Sequence, residues 1–149
     1  MVDRARERNP EVEYRTYDGS RLPYEDDRFD LVFAICVLHH VAPAARVPLL
    51  RELRRVARPK GLIAVFEHNP WNPLTRRAVR ACAFDGNAEL ISRPALVESL
   101  RTAGVDLTDS AYLLFFPWRR RILRAAERGL AWVPLGAQYL VAGRAGNKL

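Results

Sequence analysis

Phe29-Asp30-Leu31-Val32-Phe33-Ala34-Ile35-Cys36-Val37-Leu38, residues 29–38, is the stretch on which the fold turns. Its nearly continuous run of β-branched, aromatic and aliphatic residues is the pattern of a parallel-sheet strand covered on both faces. From Pro48 the period changes: Leu49, Leu50, Leu53 and Val56 recur at helical spacing, arginines fill the other face, and Pro59-Lys60-Gly61 closes the helix. Leu62-Ile63-Ala64-Val65-Phe66 follows as a second buried-type strand that ends at Glu67-His68-Asn69-Pro70. Strand, helix and strand in this order predict a βαβ crossover, right-handed in nearly all sheets.

Upstream, residues 2–8 read as the end of a helix closed by Asn9-Pro10. Residues 12–17 alternate with the two-residue period of a strand and stop at the turn Asp18-Gly19-Ser20. Downstream, Ser92 is the expected N-cap of a helix with Pro94 in its first turn, Leu96, Val97 and Leu100 as its apolar stripe, and Gly104 at its end. Residues 112–116 and 139–142 read as two closing strands separated by a basic amphipathic segment, 119–132. Short strands alternating with helices predict an α/β sheet in one domain.

The 149 residues are 49% hydrophobic, enough for a real core, which excludes a disordered tail or a tandem array. The net charge of +7 is uneven: residues 1–30 carry −3 and the remainder +10. Only Lys60 and Lys148 are lysines, and no basic motif is interleaved with aromatics, so no nucleic-acid partner is expected. Cys36 and Cys82 have neither CxxC spacing nor a His/Cys cluster around them, which predicts a reduced, cytoplasmic setting and no metal site. The charged residues 2–8 are unlike a secretory signal. The longest uncharged runs, 31–45 and 129–143, have 15 residues each, against the roughly 20 of a spanning helix.

In an open α/β sheet, ligands gather outside the carboxyl ends of the strands. Here those ends are Asp18-Gly19-Ser20, residues 35–40 and Glu67-His68-Asn69, all rich in hydrogen-bonding groups. Asp-Gly is also a common turn, and His39-His40 reads equally as a satisfied helix start.

Six motifs in register resemble class I S-adenosylmethionine-dependent methyltransferases of the type 11-like group: Tyr17-Asp18-Gly19, Leu22-Pro23-Tyr24, residues 27–32, Val37-Leu38-His39-His40-Val41, residues 50–56 and Arg58-Pro59-Lys60-Gly61. Lys60 departs from the pattern, standing where the family usually has glycine. The resemblance implies S-adenosylmethionine as cofactor and a role for each matched position. Asp18 matches the carboxylate that accepts from the adenine amino group, Gly19 the backbone N–H that meets the ring, and Leu22 a side chain packed near adenine. Ala34 and Ile35 match the strand end where the backbone approaches the methionyl part, with His39 beside it. His40 and His68 lie where a histidine can serve as general base. Glu67, Asn69 and Arg76 lie on the acceptor side. A sulfonium methyl is already electrophilic, so transfer asks for an acceptor held in line and a base for its proton.

The implied fold is a Rossmann-like, doubly wound, mostly parallel sheet with a C-terminal antiparallel strand pair. The family begins with a strand, a glycine-rich loop, a helix and a strand ending in a ribose-binding acid. The eight glycines here, at 19, 61, 86, 104, 129, 136, 143 and 146, contain no GxG. The resemblance therefore implies an N-terminally truncated domain with the first two strands absent. Residues 1–67 are then the remainder of the cofactor-binding core, and residues 68–149 the acceptor side and closing strands. The absent strands would lie between the 12–17 and 29–38 strands, leaving an apolar open edge. The isolated chain is then expected to bind cofactor poorly and to be inactive or impaired. The alternative is a non-catalytic partner subunit or binding module on a degenerate methyltransferase fold, its sheet completed by a partner chain.

Residues 66–85 lie where a small-molecule acceptor should dock. Arg76, Arg77 and Arg80 follow Pro73 on a short helix and either bind a carboxylate or phosphate of that acceptor or form a solvated face. Residues 113–118 join an apolar run to the arginines that follow, the pattern of a pocket lid or of peripheral lipid contact with a lipid-like acceptor.

Overall fold

A computed structural model describes residues 2–116 and 127–146 of the chain. The elements are α1 (Val2–Arg8), β1 (Phe29–Ile35), a 3₁₀ turn (Leu38–His40), α2 (Pro43–Val56), β2 (Ala57–His68), α3 (Pro73–Ala81), a 3₁₀ turn (Ala83–Asp85), α4 (Arg93–Thr102), β3 (Val105–Leu113) and β4 (Gln138–Ala145). They form a four-stranded sheet in the order β1-β2-β4-β3. β1 and β2 are parallel, with Leu31 opposite Leu62 and Ile35 opposite Phe66, and β4 runs antiparallel to both β2 and β3. The α/β class, the βαβ unit and the antiparallel closing pair are those expected. Among the described residues the sheet is mixed rather than mostly parallel.

That difference has a local cause. Residues 12–17 form no strand, despite their alternation. A strand needs a neighbour's backbone, and this segment has side-chain contacts instead: Arg6 Nη2 donates to Tyr14 O at 3.2 Å and Asn9 Nδ2 to the Tyr14 hydroxyl at 3.3 Å. β1 likewise ends at Ile35 instead of Leu38, because Cys36 takes a left-handed φ of 54° and turns the chain into the 3₁₀ segment.

The core lies on one face of the sheet, under α2 and α4. Ala34, Ile63, Val65, Val141 and Tyr139 from the strands meet Leu50, Leu53, Leu96 and Leu100 from the helices. The Tyr139 hydroxyl donates to Ile91 O at 2.7 Å, so this buried ring leaves no orphaned polar atom. The other face of β1 is open, with Leu31, Phe33 and Ile35 exposed at 50, 59 and 55%. The expectation of a strand covered on both faces is not met within the described residues.

α2 begins at Pro43, five residues before the proline that seemed to open it. Pro43 occupies the first turn, where its fixed φ suits the helix, and Pro48 forfeits one intrahelical bond further on. α2's last turns hold the preceding loop: Glu52 Oε2 accepts from Leu22 N at 2.8 Å, and Arg55 donates to Leu22 O at 3.0 Å and Tyr24 O at 2.8 Å. α4 is capped as the sequence predicts, Ser92 Oγ accepting from Ala95 N and Gly104 leaving the helix with a φ of 80°. β3 starts at Val105, before the expected 112, because the exposed polar residues Asp106 and 108–110 interrupt its apolar pattern. No helix among the described residues is long and apolar enough to cross a membrane. Residues 117–126, most of the basic segment read as lid or lipid contact, lie outside the described residues.

α2 ends at Val56, before the expected Pro59-Lys60-Gly61, which lies within β2. Lys60 has a φ of 65°, and a Cβ on Gly61 would meet Arg58 O at 2.8 Å and Phe29 O at 3.1 Å. The chain thus turns tightly where β1 and β2 begin to pair, and Lys60 bears strain that glycine would not. Lys60→Gly is expected to raise stability by about 1 kcal/mol, after the extra backbone entropy of glycine is subtracted. Urea unfolding should show a higher midpoint at unchanged slope.

Candidate active site

Because β1 and β2 are parallel, their carboxyl ends lie side by side and bring residues 36–40 against Glu67-His68-Asn69. The Cys36 amide still donates to Phe66 O at 2.8 Å, continuing the ladder. The next two amides have left the sheet and find a side chain. Val37 N and Leu38 N donate to Glu67 Oε1 at 3.0 and 2.7 Å, and Glu67 Oε2 lies 2.7 Å from His39 Nδ1. Glu67 is 0% exposed and His39 2%. A carboxylate this deep persists because three donors replace its water shell. With Oε1 accepting two backbone bonds, Glu67 acts as the acceptor and His39 donates through Nδ1. The His39 Nε2 lone pair is then directed away from Glu67, towards Asp85 Oδ1 at 3.7 Å.

Arg46 of α2 holds the same turn from the other side. Its Nε donates to Leu38 O at 3.2 Å and Val41 O at 3.1 Å, and its Nη2 to Glu89 O at 2.6 Å. Glu89 N in turn donates to His39 O at 2.8 Å. These bonds draw the 83–89 segment over the histidines and place Asp85 Oδ1 3.3 Å from His40 Nε2. The Cys82 thiol's hydrogen bond outweighs burial and, with the nearby histidines, holds the Asp85 carboxyl below its usual range.

The His68 ring centre lies 5.1 Å from that of His39, which is 4.1 Å from that of His40. Burial first, and then the electrostatic influence of the neighbouring His39, pushes the His68 pKa below the ordinary 6.5, leaving a neutral imidazole at pH 7. His68 lines a pocket of about 300 Å³ together with Val79, Asp85, Leu114, Ala137 and Gln138. The Cys36 thiol, pushed up to about 11 first by burial and then by Glu67 and Asp85, is no nucleophile at neutral pH.

Residues 1–65 match the family model described as a methyltransferase domain. A SAM-dependent methyltransferase of Thermotoga maritima superposes with a TM-score of 0.72 at 19% identity, over 97% of this chain and 68% of that one. The chain has the class I methyltransferase fold. A demethylmenaquinone methyltransferase of Beutenbergia cavernae is 39% identical over 75 residues, which span 49% of this chain and 30% of that relative. The [4+2]-cyclase SpnF superposes on the same methyltransferase fold with a TM-score of 0.61 at 23% identity, over 99% of this chain and 61% of that one. The architecture thus leaves the reaction to be argued from the site.

Against the methyltransferase fold, the expected site residues divide into two groups. His39, His40, Glu67 and His68 converge at the strand ends, with Ala34 and Ile35 leading into them. Glu67 and Asn69, expected on the acceptor side, are turned inward. Asn69 is 1% exposed, its Nδ2 donating to Pro134 O at 3.0 Å and Gly136 O at 2.8 Å. Arg76 is exposed and, with Arg77 and Arg80, lines an open groove on α3 separate from the His68 pocket. Asp18 is exposed and closes its own turn, Oδ1 accepting from Ser20 N at 2.8 Å and Ser20 Oγ at 2.7 Å. No hydrogen bond links Asp18, Gly19 or Leu22 to the histidines among the described residues, and Leu22 is tied towards the amino ends of the strands by Glu52 and Arg55. Arg46 joins the site without having been expected, and Asp85, expected only as the end of the 66–85 acceptor segment, joins it against His40. Arg46 carried a signal: it falls one turn before Leu49 and Leu50 on α2's buried stripe. The contact of Asp85 with His40 carried none, since only the tertiary tie through Glu89 makes it.

Glu67→Ala would strand the buried Leu38 amide, the part-buried Val37 amide and the His39 Nδ1–H at once. We expect a loss of about 3–5 kcal/mol in urea unfolding. A loss under about 1 kcal/mol would mean the carboxylate is not the tie between the strands.

Proposed function

We propose that this protein transfers a methyl group from S-adenosylmethionine to a small, largely apolar acceptor, with His68 receiving the acceptor's proton. The observation that carries this reading is the 300 Å³ pocket that His68 lines at the carboxyl ends of the parallel strand pair. The demethylmenaquinone methyltransferase relative, named for a small-molecule acceptor, supports the substrate class.

The described residues fit one side of the cofactor. Asp18 offers an exposed carboxylate for an amino group, and the backbone of residues 34–36 ends at an open strand edge that a methionyl group can approach. A glycine-rich loop and a ribose-binding acid are not among them. When bound, S-adenosylmethionine supplies an electrophilic sulfonium methyl. Val79, Leu114 and Ala137 exclude water from the acceptor, and His68, neutral at pH 7, takes the proton on a ring nitrogen. Glu67 and Arg46 act as positioning residues, fixing the turn that carries His39 and His40.

His68→Ala should lower kcat for transfer from labelled S-adenosylmethionine to demethylmenaquinone-like quinols and simple phenols by about 100-fold or more. Calorimetric affinity for S-adenosylhomocysteine should stay unchanged. Turnover equal to that of the parent protein would refute the role.

A second reading is favoured by the open face of β1. Leu31, Phe33 and Ile35 suit a binding module whose sheet is completed by another polypeptide. Methyl transfer by the chain alone, however weak, favours the enzyme. Absence of transfer, restored only with an added polypeptide, favours the module.

A further inference from the structure

We infer that His39 Nε2, His40 Nε2 and Asp85 Oδ1 form a binding site for one divalent transition-metal ion. These three atoms lie within 4.8 Å of one another, with Asp85 Oδ1 3.3 Å from His40 Nε2 and 3.7 Å from His39 Nε2. Ligands on one ion with bonds of about 2.0–2.2 Å stand roughly 3.0–3.5 Å apart, so small adjustments close this set around a metal. Among the described residues these pairs make ion-pair contacts and no hydrogen bond, so an ion can replace the contacts without breaking a hydrogen bond between the ligands.

Two independent features support the assignment. First, the buried Glu67 carboxylate accepts from His39 Nδ1 at 2.7 Å. A ligating histidine commonly gives its other ring N–H to a carboxylate, which fixes the tautomer and makes the ligand nitrogen more basic. Glu67 does this for His39 whether or not a metal is present. Second, the His40 side chain is 44% exposed and that of Asp85 14%, so an ion can reach the ligands from solvent, while His39 is closed in behind them. Two imidazoles and one carboxylate are the ligand chemistry of zinc and of iron, cobalt and nickel in the divalent state, not of magnesium or calcium, which prefer all-oxygen shells. Three protein ligands leave a coordination position open, and Asp85 lines the His68 pocket, so that position borders the place assigned to the acceptor. The metal site rests on the ligand geometry alone and stands or falls apart from methyl transfer.

The test uses the full chain, stripped of metal with a chelator and titrated with Zn²⁺ by calorimetry and with Co²⁺ by visible absorption. The expected result is one equivalent of each ion, with cobalt d–d bands and no sulfur-to-cobalt charge-transfer band. Glu67→Gln should weaken binding about 10–100-fold, and His40→Ala and Asp85→Asn should weaken it more. The last two substitutions are at solvent-reachable positions, and unchanged circular dichroism confirms that they fold. Three results would overturn the inference: no binding of either ion at tens of micromolar, affinity unaffected by His40→Ala and Asp85→Asn, or a charge-transfer band placing the ion on Cys36 or Cys82.

Discussion

The Glu67 carboxylate is the interaction on which the site depends. At the end of β1 the chain must leave the sheet, and two amides lose their ladder partners there. Left unpaired in a buried place, each would cost on the order of 1–3 kcal/mol. Glu67, one residue before the end of β2, accepts from both and from His39 as well. A single side chain thus joins two strand ends, closes a left-handed turn and sets which nitrogen of His39 is free. Desolvating a lone carboxylate costs several kcal/mol, and three well-formed bonds offset it where one would not.

The rest of the fold is arranged so that this end of the sheet stays available. α2 and α4 bury one face and the antiparallel β4 and β3 close the far edge, and the core reaches the strand ends at Leu38 and Tyr139, behind the histidine turn. At the opposite end, Glu52 and Arg55 hold the incoming loop, and the Lys60-Gly61 turn starts the parallel pairing. The polar ties are therefore divided by role: those at the amino ends hold the scaffold, and those at the carboxyl ends orient histidines. Arg46 joins the two, since it leaves a scaffold helix to bind the carbonyls of the histidine turn and of Glu89.

How far this was legible in the sequence depended on whether a feature was local. The strand cores at 31–35 and 62–66, α4 with its Ser92 cap, and the position of His39, His40 and His68 at strand ends all follow from periodicity and chain order. Residues 12–17 alternate as a strand should, but alternation supplies no partner backbone. Pro48 looked like a helix start because proline tolerance within the early part of a helix is decided by packing of the apolar stripe, which Leu49, Leu50 and Leu53 supply. Glu67 was placed at the site but given the wrong neighbours: its position is fixed by chain order, whereas its burial depends on β1 ending one turn away. Asp85 is legible only as the end of the 66–85 acceptor segment, because its proximity to His40 is set by hydrogen bonds among Arg46, Glu89 and His39.

The site depends on His39 being held as a donor through Nδ1 by a buried carboxylate, and nitrogen-15 NMR of the imidazole ring reads that state directly. At pH 7 and without metal, His39 should appear as the Nδ1–H tautomer, with a downfield proton that exchanges slowly with solvent and a slowly exchanging Leu38 amide beside it. An Nε2–H tautomer, or an Nδ1 proton exchanging as fast as that of a free imidazole, would contradict the Glu67 clamp and the organisation of the site built on it.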